Sequence, residues 1–195
     1  MDNSLSAFLK GIGINDPHAI ESLLRYGQAR KAPAGAQLFL AGRPFGMLWY
    51  VESGMVRAYR IVDGKDYTFF FFPERHFAAD YESYLTNQES PLFFEALTAV
   101  QYLQFNKQAI SQLYRQHPCF ERLGRIMAER AYLSATNRLK QFQTESLEQR
   151  YEKLLQQAPQ LFQQIPQYHI ASYLGVSPQS LSRIRAQRMN TDDGT

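Results

Sequence analysis

Gln167–Arg188, QYHIASYLGVSPQSLSRIRAQR, reads as two short helices joined by a tight turn. Gly175 suits a turn at positive φ that a Cβ would penalise, and the small Ala171 lets the second helix approach the first closely. Ile170, Leu174, Val176, Leu181 and Ile184 fall at helical spacing and supply an apolar seam. Ser177 is a good N-cap, and Pro178 at the first helical position loses no useful donor. The spacing predicts a helix-turn-helix whose second helix presents Gln179, Ser180 and Arg183 opposite Leu181 and Ile184. In that motif the start of the second helix meets base edges in the major groove. Arg183 suits guanine O6/N7 and Gln179 suits adenine. Tyr168, Ser177, Arg185 and Arg188 read as phosphate contacts that set register and carry no base preference.

The charge distribution agrees with such a surface. The 195 residues carry 21 Lys and Arg against 18 Asp and Glu, a net charge of +3. Basic and acidic residues balance from Met1 to Cys119, so the excess lies beyond that point. Between Pro159 and Thr191 there is no acidic residue, while Arg183, Arg185 and Arg188 cluster at the end. A stretch without carboxylates approaches phosphates without repulsion. A Gln-rich solvated helical face is the plainer reading of the charges alone, and the helix-turn-helix pattern decides against it.

Other functional classes find little support. The single cysteine, Cys119, excludes an intramolecular disulfide and fits a reducing compartment. It reads as a small buried hydrophobe. His18, His76, His117 and His169 have no metal-ligand spacing, and no catalytic constellation is present, so neither a metal site nor an enzyme is expected. The N-terminus lacks a basic flank followed by an apolar core, and no apolar run approaches the roughly 20 residues that cross a bilayer. The expectation is a cytoplasmic protein without a membrane partner.

Upstream, the pattern changes twice. Leu5–Arg30 is helical in its second half, with Asn15-Asp16-Pro17 as a helix start. From Ala32 to about Phe105, glycines separate short β-rich runs at 38–40, 48–51, 55–61, 67–72 and 94–105, and Asp63-Gly64 signals a hairpin turn. These spacings predict a sandwich or barrel, here a jelly roll. Phe120–Phe142 then reads as one long helix with more apolar positions than one face needs, which suits pairing with a second copy or packing on the β-domain. Thr144–Gln157 reads as a further helix closed before Pro159. The aromatic residues at 67, 69–72, 77, 81, 84, 93 and 94 suit either a core or the lining of an apolar effector pocket, and core is the simpler reading.

Gly35–Tyr59, GAQLFLAGRPFGMLWYVESGMVRAY, resembles the cyclic-nucleotide-binding β-roll of the Crp/Fnr regulators. The matching features are Gly35-x-x-Leu38-Phe39, Gly42, Leu48-x-Tyr50-Val51 and Ser53-Gly54-x-Val56. A β-roll, a long helix and a helix-turn-helix occur in the family's order, and the SYLGVSPQSLSRIR ending is similar to a Bacteroidetes-type branch. The resemblance implies an α+β chain: an antiparallel β-roll sensor over residues 1–118, a dimerisation helix over 119–143 and an all-α DNA-binding domain over 144–195. It implies a homodimeric transcription regulator that binds double-stranded DNA, with RNA polymerase as a further partner.

Two departures qualify the carry-over. Family members that bind cyclic nucleotides use a Gly-Glu pair and then an Arg-Ser or Arg-Thr pair for ribose and phosphate. The corresponding stretches here are Ala79-Asp80-Tyr81 and Glu89-Ser90-Pro91. Asp80, Tyr81, Glu89 and Ser90 are the residues expected to face an effector, but no arginine meets a phosphate and Glu89 adds negative charge. Losing a charge-assisted hydrogen bond to phosphate costs about 1.5–3 kcal/mol, so cyclic AMP is disfavoured and no cofactor is expected. Few residues follow the recognition helix, too few for the β-hairpin wing that many relatives carry. The rival reading is a ligand-binding or protein-interaction module whose helical tail does not read DNA.

Overall fold

The structure, a computed structural model, describes residues 4–192, with side chains through Gln187. Helices α1 (Ser4–Gly11) and α2 (Pro17–Tyr26) come first. The expected helix start is present: the Asp16 carboxylate accepts from the His18 N–H at 2.9 Å, and Pro17 is the first helical residue. Strands β1 (Gln28–Ala32), β2 (Gln37–Phe39), β3 (Arg43–Pro44), β4 (Met47–Ser53), β5 (Met55–Val62), β6 (Lys65–Pro73) and β7 (His76–Ala78) follow. After helix α3 (Tyr81–Thr86), β8 (Glu89–Ser90), β9 (Phe93–Ala96) and β10 (Val100–Asn106) complete the β-region.

The strands form two four-stranded sheets, ordered β1-β10-β4-β7 and β2-β9-β5-β6, plus the ribbon β3-β8. This is the expected antiparallel roll. Its interior is aromatic: Phe39, Phe45, Trp49 and Phe94 are buried, with Phe45 stacked on Phe94 at 4.7 Å and edge-on to Trp49 at 5.0 Å. On the other face of the first sheet, Tyr50 and Phe77 are register partners. They pack into a second cluster with Leu5 and Leu9 of α1 and with Ile20 and Leu23 of α2. Trp49 faces one cluster and Tyr50 the other, so Leu48–Val51 is buried without the alternation of a half-exposed strand.

Asp63 and Gly64 both have positive φ, 51° and 74°, as a two-residue hairpin turn requires. Other boundaries differ from the sequence reading. Strand β1 was not expected, because QARKA has no apolar alternation; its strand character comes from pairing along β10 at the sheet edge. The single run expected over 94–105 is two strands, turned at Leu97–Ala99. The next residue caps an unexpected helix, α4 (Lys107–Gln116), through Asn106 Oδ1 and the Ala109 N–H at 2.7 Å. Cys119 lies in a short 3₁₀ turn and is exposed, not buried as expected, because the turn directs Phe120 inward instead. Burial of its surroundings and the nearby Asp16 carboxylate both push its thiol pKa up.

The long helix α5 covers Glu121–Thr144. The next helix, α6, covers Leu147–Gln157 rather than starting at Thr144, because Ser146 and Gln149 form a reciprocal capping box. Helices α7 (Pro159–Gln164), α8 (Gln167–Leu174) and α9 (Pro178–Asp192) follow. The chain divides into two compact units. One comprises residues up to Ala58 with Phe71–Ser134; the other joins Tyr59–Phe70 to Ala135 and the residues after it.

Candidate nucleic-acid interface

Within the second unit, α8, a turn and α9 form the expected helix-turn-helix. Gly175 has φ of 74°. Its N–H donates to Ser172 O at 3.0 Å, and the Val176 N–H donates to Ala171 O at 3.0 Å, the paired bonds of a Schellman ending. A Cβ on Gly175 would also lie 2.8 Å from Phe142 Cε1, so the Phe142 ring would have to shift to admit one. Ser177 Oγ accepts from the Ser180 N–H at 3.1 Å, satisfying one of the free donors at the start of α9. Ala171, Ile170, Leu174, Leu181 and Ile184 are buried, and they share the unit with buried Tyr151, Leu161 and Ile165. Val176 is half-buried.

The surface left by this packing carries the residues named from the sequence. Gln179 and Arg183 are exposed, one helical turn apart on α9, and Ser180 is half-buried beside them. The Ser180 hydroxyl lies 3.0 Å from that of Ser177, so the two serines organise each other at the helix start. Tyr168 is 57% exposed at the first turn of α8, its ring 4.1 Å from that of His169, and Arg185 is half-buried. The Arg188 side chain lies outside the described residues. Helix α9 continues to Asp192, the last described residue.

Sequence reasoning missed what stands behind the turn. Phe142 packs against Gly175, and the guanidinium groups of Arg138 and Arg150 lie 5.3 and 4.6 Å from the Phe142 ring centre. Arg138 also lies 4.1 Å from the ring centre of Tyr173 and donates to the Tyr173 carbonyl at 3.0 Å. Burial pulls its pKa down, with Tyr173 opposing that shift. Arginine and phenylalanine four residues apart on a helix do not announce a partner in a later helix.

In the first unit, the expected effector residues are arranged around one acid. Asp80 caps α3: Oδ1 accepts from the Ser83 N–H at 3.2 Å, and Oδ2 accepts from the Ser90 hydroxyl at 2.6 Å. The Ser83 hydroxyl in turn accepts from the Phe45 N–H at 2.8 Å and donates to Gln88 O at 2.5 Å. Asp80, Ser83 and Ser90 are all buried. Tyr81 is half-buried, stacked on Tyr84 at 6.2 Å, and Glu89 is exposed. At the other end of α3, Asn87 takes φ of 59°, and the Lys107 ammonium donates to the carbonyls of Tyr84 and Leu85. Asp80→Ala is expected to lower the urea-unfolding free energy by about 1–3 kcal/mol, because two buried donors lose a charged acceptor. An unchanged or higher value would instead mark a carboxylate held ready for a ligand.

Among the described residues no helix is long and apolar enough to cross a membrane, and no cluster of three or more His, Cys, Asp or Glu suits a metal ion. Residues 29–117 match the cyclic nucleotide-binding domain family. FixK2 from Bradyrhizobium japonicum has a similar structure, with a TM-score of 0.73 and 15% identity over 85% of this chain and 86% of that one. The c-di-GMP-responsive global regulator CLP of Xanthomonas campestris gives 0.69 and 17%, covering 91% and 93%. The catabolite activator protein of Thermus thermophilus gives 0.55 and 21%, covering 91% and 85%. No curated protein sequence matches the chain. At these identities the structural likeness is one of fold.

Proposed function

We propose that this chain is a sequence-specific DNA-binding regulator acting as a homodimer: residues 29–117 match the cyclic nucleotide-binding domain family, and its fold is like that of solved regulators, one of them of the Crp/Fnr family. The observation that carries this reading is the exposed start of α9. Gln179 and Arg183 stand clear of the packed seam, in a stretch with no acidic residue from Pro159 to Thr191. Arg183 and Gln179 take base edges, with Ser180 beside them; Tyr168, Ser177, Arg185 and Arg188 serve the phosphates. The intracellular setting and RNA polymerase as a further partner belong to the same reading.

Helix α5 supports the dimer. Only Leu123 is buried along it, whereas Leu133 and Leu139 are 55% and 57% exposed, a cost that a second copy would remove. Two copies would present their α9 helices to half-sites about 34 Å apart on a palindromic operator.

Cyclic AMP is not the effector in this reading. Asp80 is buried and already accepts from the Ser83 N–H and the Ser90 hydroxyl, so a ribose hydroxyl would have to share it with them, and Glu89 adds charge of the wrong sign for a phosphate. The deciding experiment is selection of bound genomic fragments by the purified chain, with and without cyclic AMP. The expected result is one enriched palindromic motif, independent of cyclic AMP and steeply salt-dependent. No enrichment would favour a ligand-binding or interaction module whose tail does not read DNA. A strict cyclic-AMP requirement would overturn the view of Asp80.

A further inference from the structure

The tip of the β5–β6 hairpin lies in the same compact unit as the helix-turn-helix, and specific bonds account for this. The Ser172 hydroxyl, on α8, accepts from the Thr68 N–H at 2.8 Å and donates to the Asp66 carbonyl at 3.0 Å. Arg138, on α5, bridges the two elements: one Nη donates to the Thr68 carbonyl at 3.4 Å and to the Tyr173 carbonyl at 3.0 Å. Thr68 is thus held through both its backbone N–H and its C=O, and its side chain is buried. Strand β6 lies at the edge of its sheet, where unpaired backbone groups need a cover. Ser172 and Arg138 supply that cover at Thr68.

We propose that this clasp makes the hairpin tip a working part of the DNA reader, with Ser172 and Arg138 as positioning residues that hold α8, and through its turn α9, in the orientation that meets DNA. The inference rests on the DNA-reading function proposed above. Two observations give its direction. The clasped state leaves Gln179 and Arg183 exposed, so the clasp orients the reader and does not mask it. The Arg138 guanidinium lies over the Tyr173 ring and is bonded to the Thr68 and Tyr173 carbonyls, so it is turned toward the protein. Because coupling is reciprocal, operator binding must in turn tighten the clasp.

The test uses the full chain, the operator recovered by genomic selection, and the variants Ser172→Ala, Arg138→Lys and Arg138→Gln. Ser172→Ala removes one oxygen and favours helix, so folding is retained, which a thermal melt checks. Operator affinity should fall about five- to tenfold in Ser172→Ala and at least as far in both Arg138 variants, as for loss of one or two hydrogen bonds. The slope of log K against log salt should stay at the wild-type value, because no phosphate contact is removed. Lysine should not rescue position 138, since an ammonium lacks the planar face that lies over the Tyr173 ring. In hydrogen exchange, the Thr68 amide should be protected in the wild type, protected further by operator, and exposed in Ser172→Ala.

Rescue by lysine with a reduced salt slope in Arg138→Gln would make Arg138 a phosphate contact and overturn the proposal. Wild-type affinity in all variants would also overturn it, as would tighter binding, which would mean that the clasp restrains the reader. If the wild type selects no sequence at all, the DNA-reading function fails with it. The exchange measurement remains separate: a Thr68 amide equally unprotected in the wild type and Ser172→Ala overturns the clasp itself.

Discussion

Arg183→Ala is expected to bind the selected operator about ten- to a hundredfold more weakly and to stop discriminating at one base-pair position in each half-site. The range follows from the roughly 1–3 kcal/mol carried by a bidentate arginine–guanine pair. Arg183 is exposed on α9, one turn from Gln179, and no carboxylate lies near it in the sequence between Pro159 and Thr191. Arg183→Lys separates charge from shape. It should keep the salt slope and lose the base preference, because an ammonium is a point charge without the fork that matches O6 and N7. Arg188→Ala should behave oppositely, weakening all sequences alike and lowering the slope by about one. Anisotropy titrations against the operator and its single-base variants, at three salt concentrations, distinguish these outcomes. Unchanged operator affinity in Arg183→Ala would sink the base-reading assignment.

Gly54→Ala should have the largest effect on stability, about 3–5 kcal/mol, enough to unfold much of a marginally stable domain. Two penalties combine. Gly54 links β4 to β5 with φ of 86°, where an L side chain is strained. An added Cβ would lie 2.3 Å from the Ala99 carbonyl oxygen, 2.8 Å from Thr98 Oγ1 and 2.9 Å from Val100 Cγ1. The first of these is backbone in the turn between β9 and β10, where Thr98 Oγ1 also accepts from the Met55 N–H at 3.0 Å, so the neighbour cannot swing aside. Gly64→Ala is the control: φ is 74° but no atom lies within 4 Å, so only the conformational penalty of about 1–2 kcal/mol applies. Urea unfolding of both variants isolates the steric part. A Gly54→Ala loss no greater than that of Gly64→Ala would show that the β9–β10 turn yields.

Much of this molecule was legible residue by residue. Asp63-Gly64, Asp16-Pro17, Gly175 and Ser177-Pro178 do in the structure what their chemistry predicts, and the seam from Ile170 to Ile184 is buried apart from Val176. Strand β1 was not legible because its five residues are mostly exposed and polar; only β10 beside it makes it a strand. Asp80 was readable as an acid in the place of a family's ribose ligand. That both its oxygens are occupied by Ser83 and Ser90 was not.

What the sequence by itself determined are the features whose cause and effect lie within a few residues: caps, positive-φ turns, the helical seam and the carboxylate-free stretch of the reader. Their energies act between neighbours in the chain, so the residue types suffice. Tertiary structure alone decided which distant groups meet. Ser172 finds the Thr68 amide across 104 positions, Arg138 finds the Thr68 carbonyl across 70, and Phe142 lies against Gly175. Each side chain has many polar or apolar partners of equal chemistry along the chain. Only the packing of the hairpin tip, α5 and α8 into one unit selects among them.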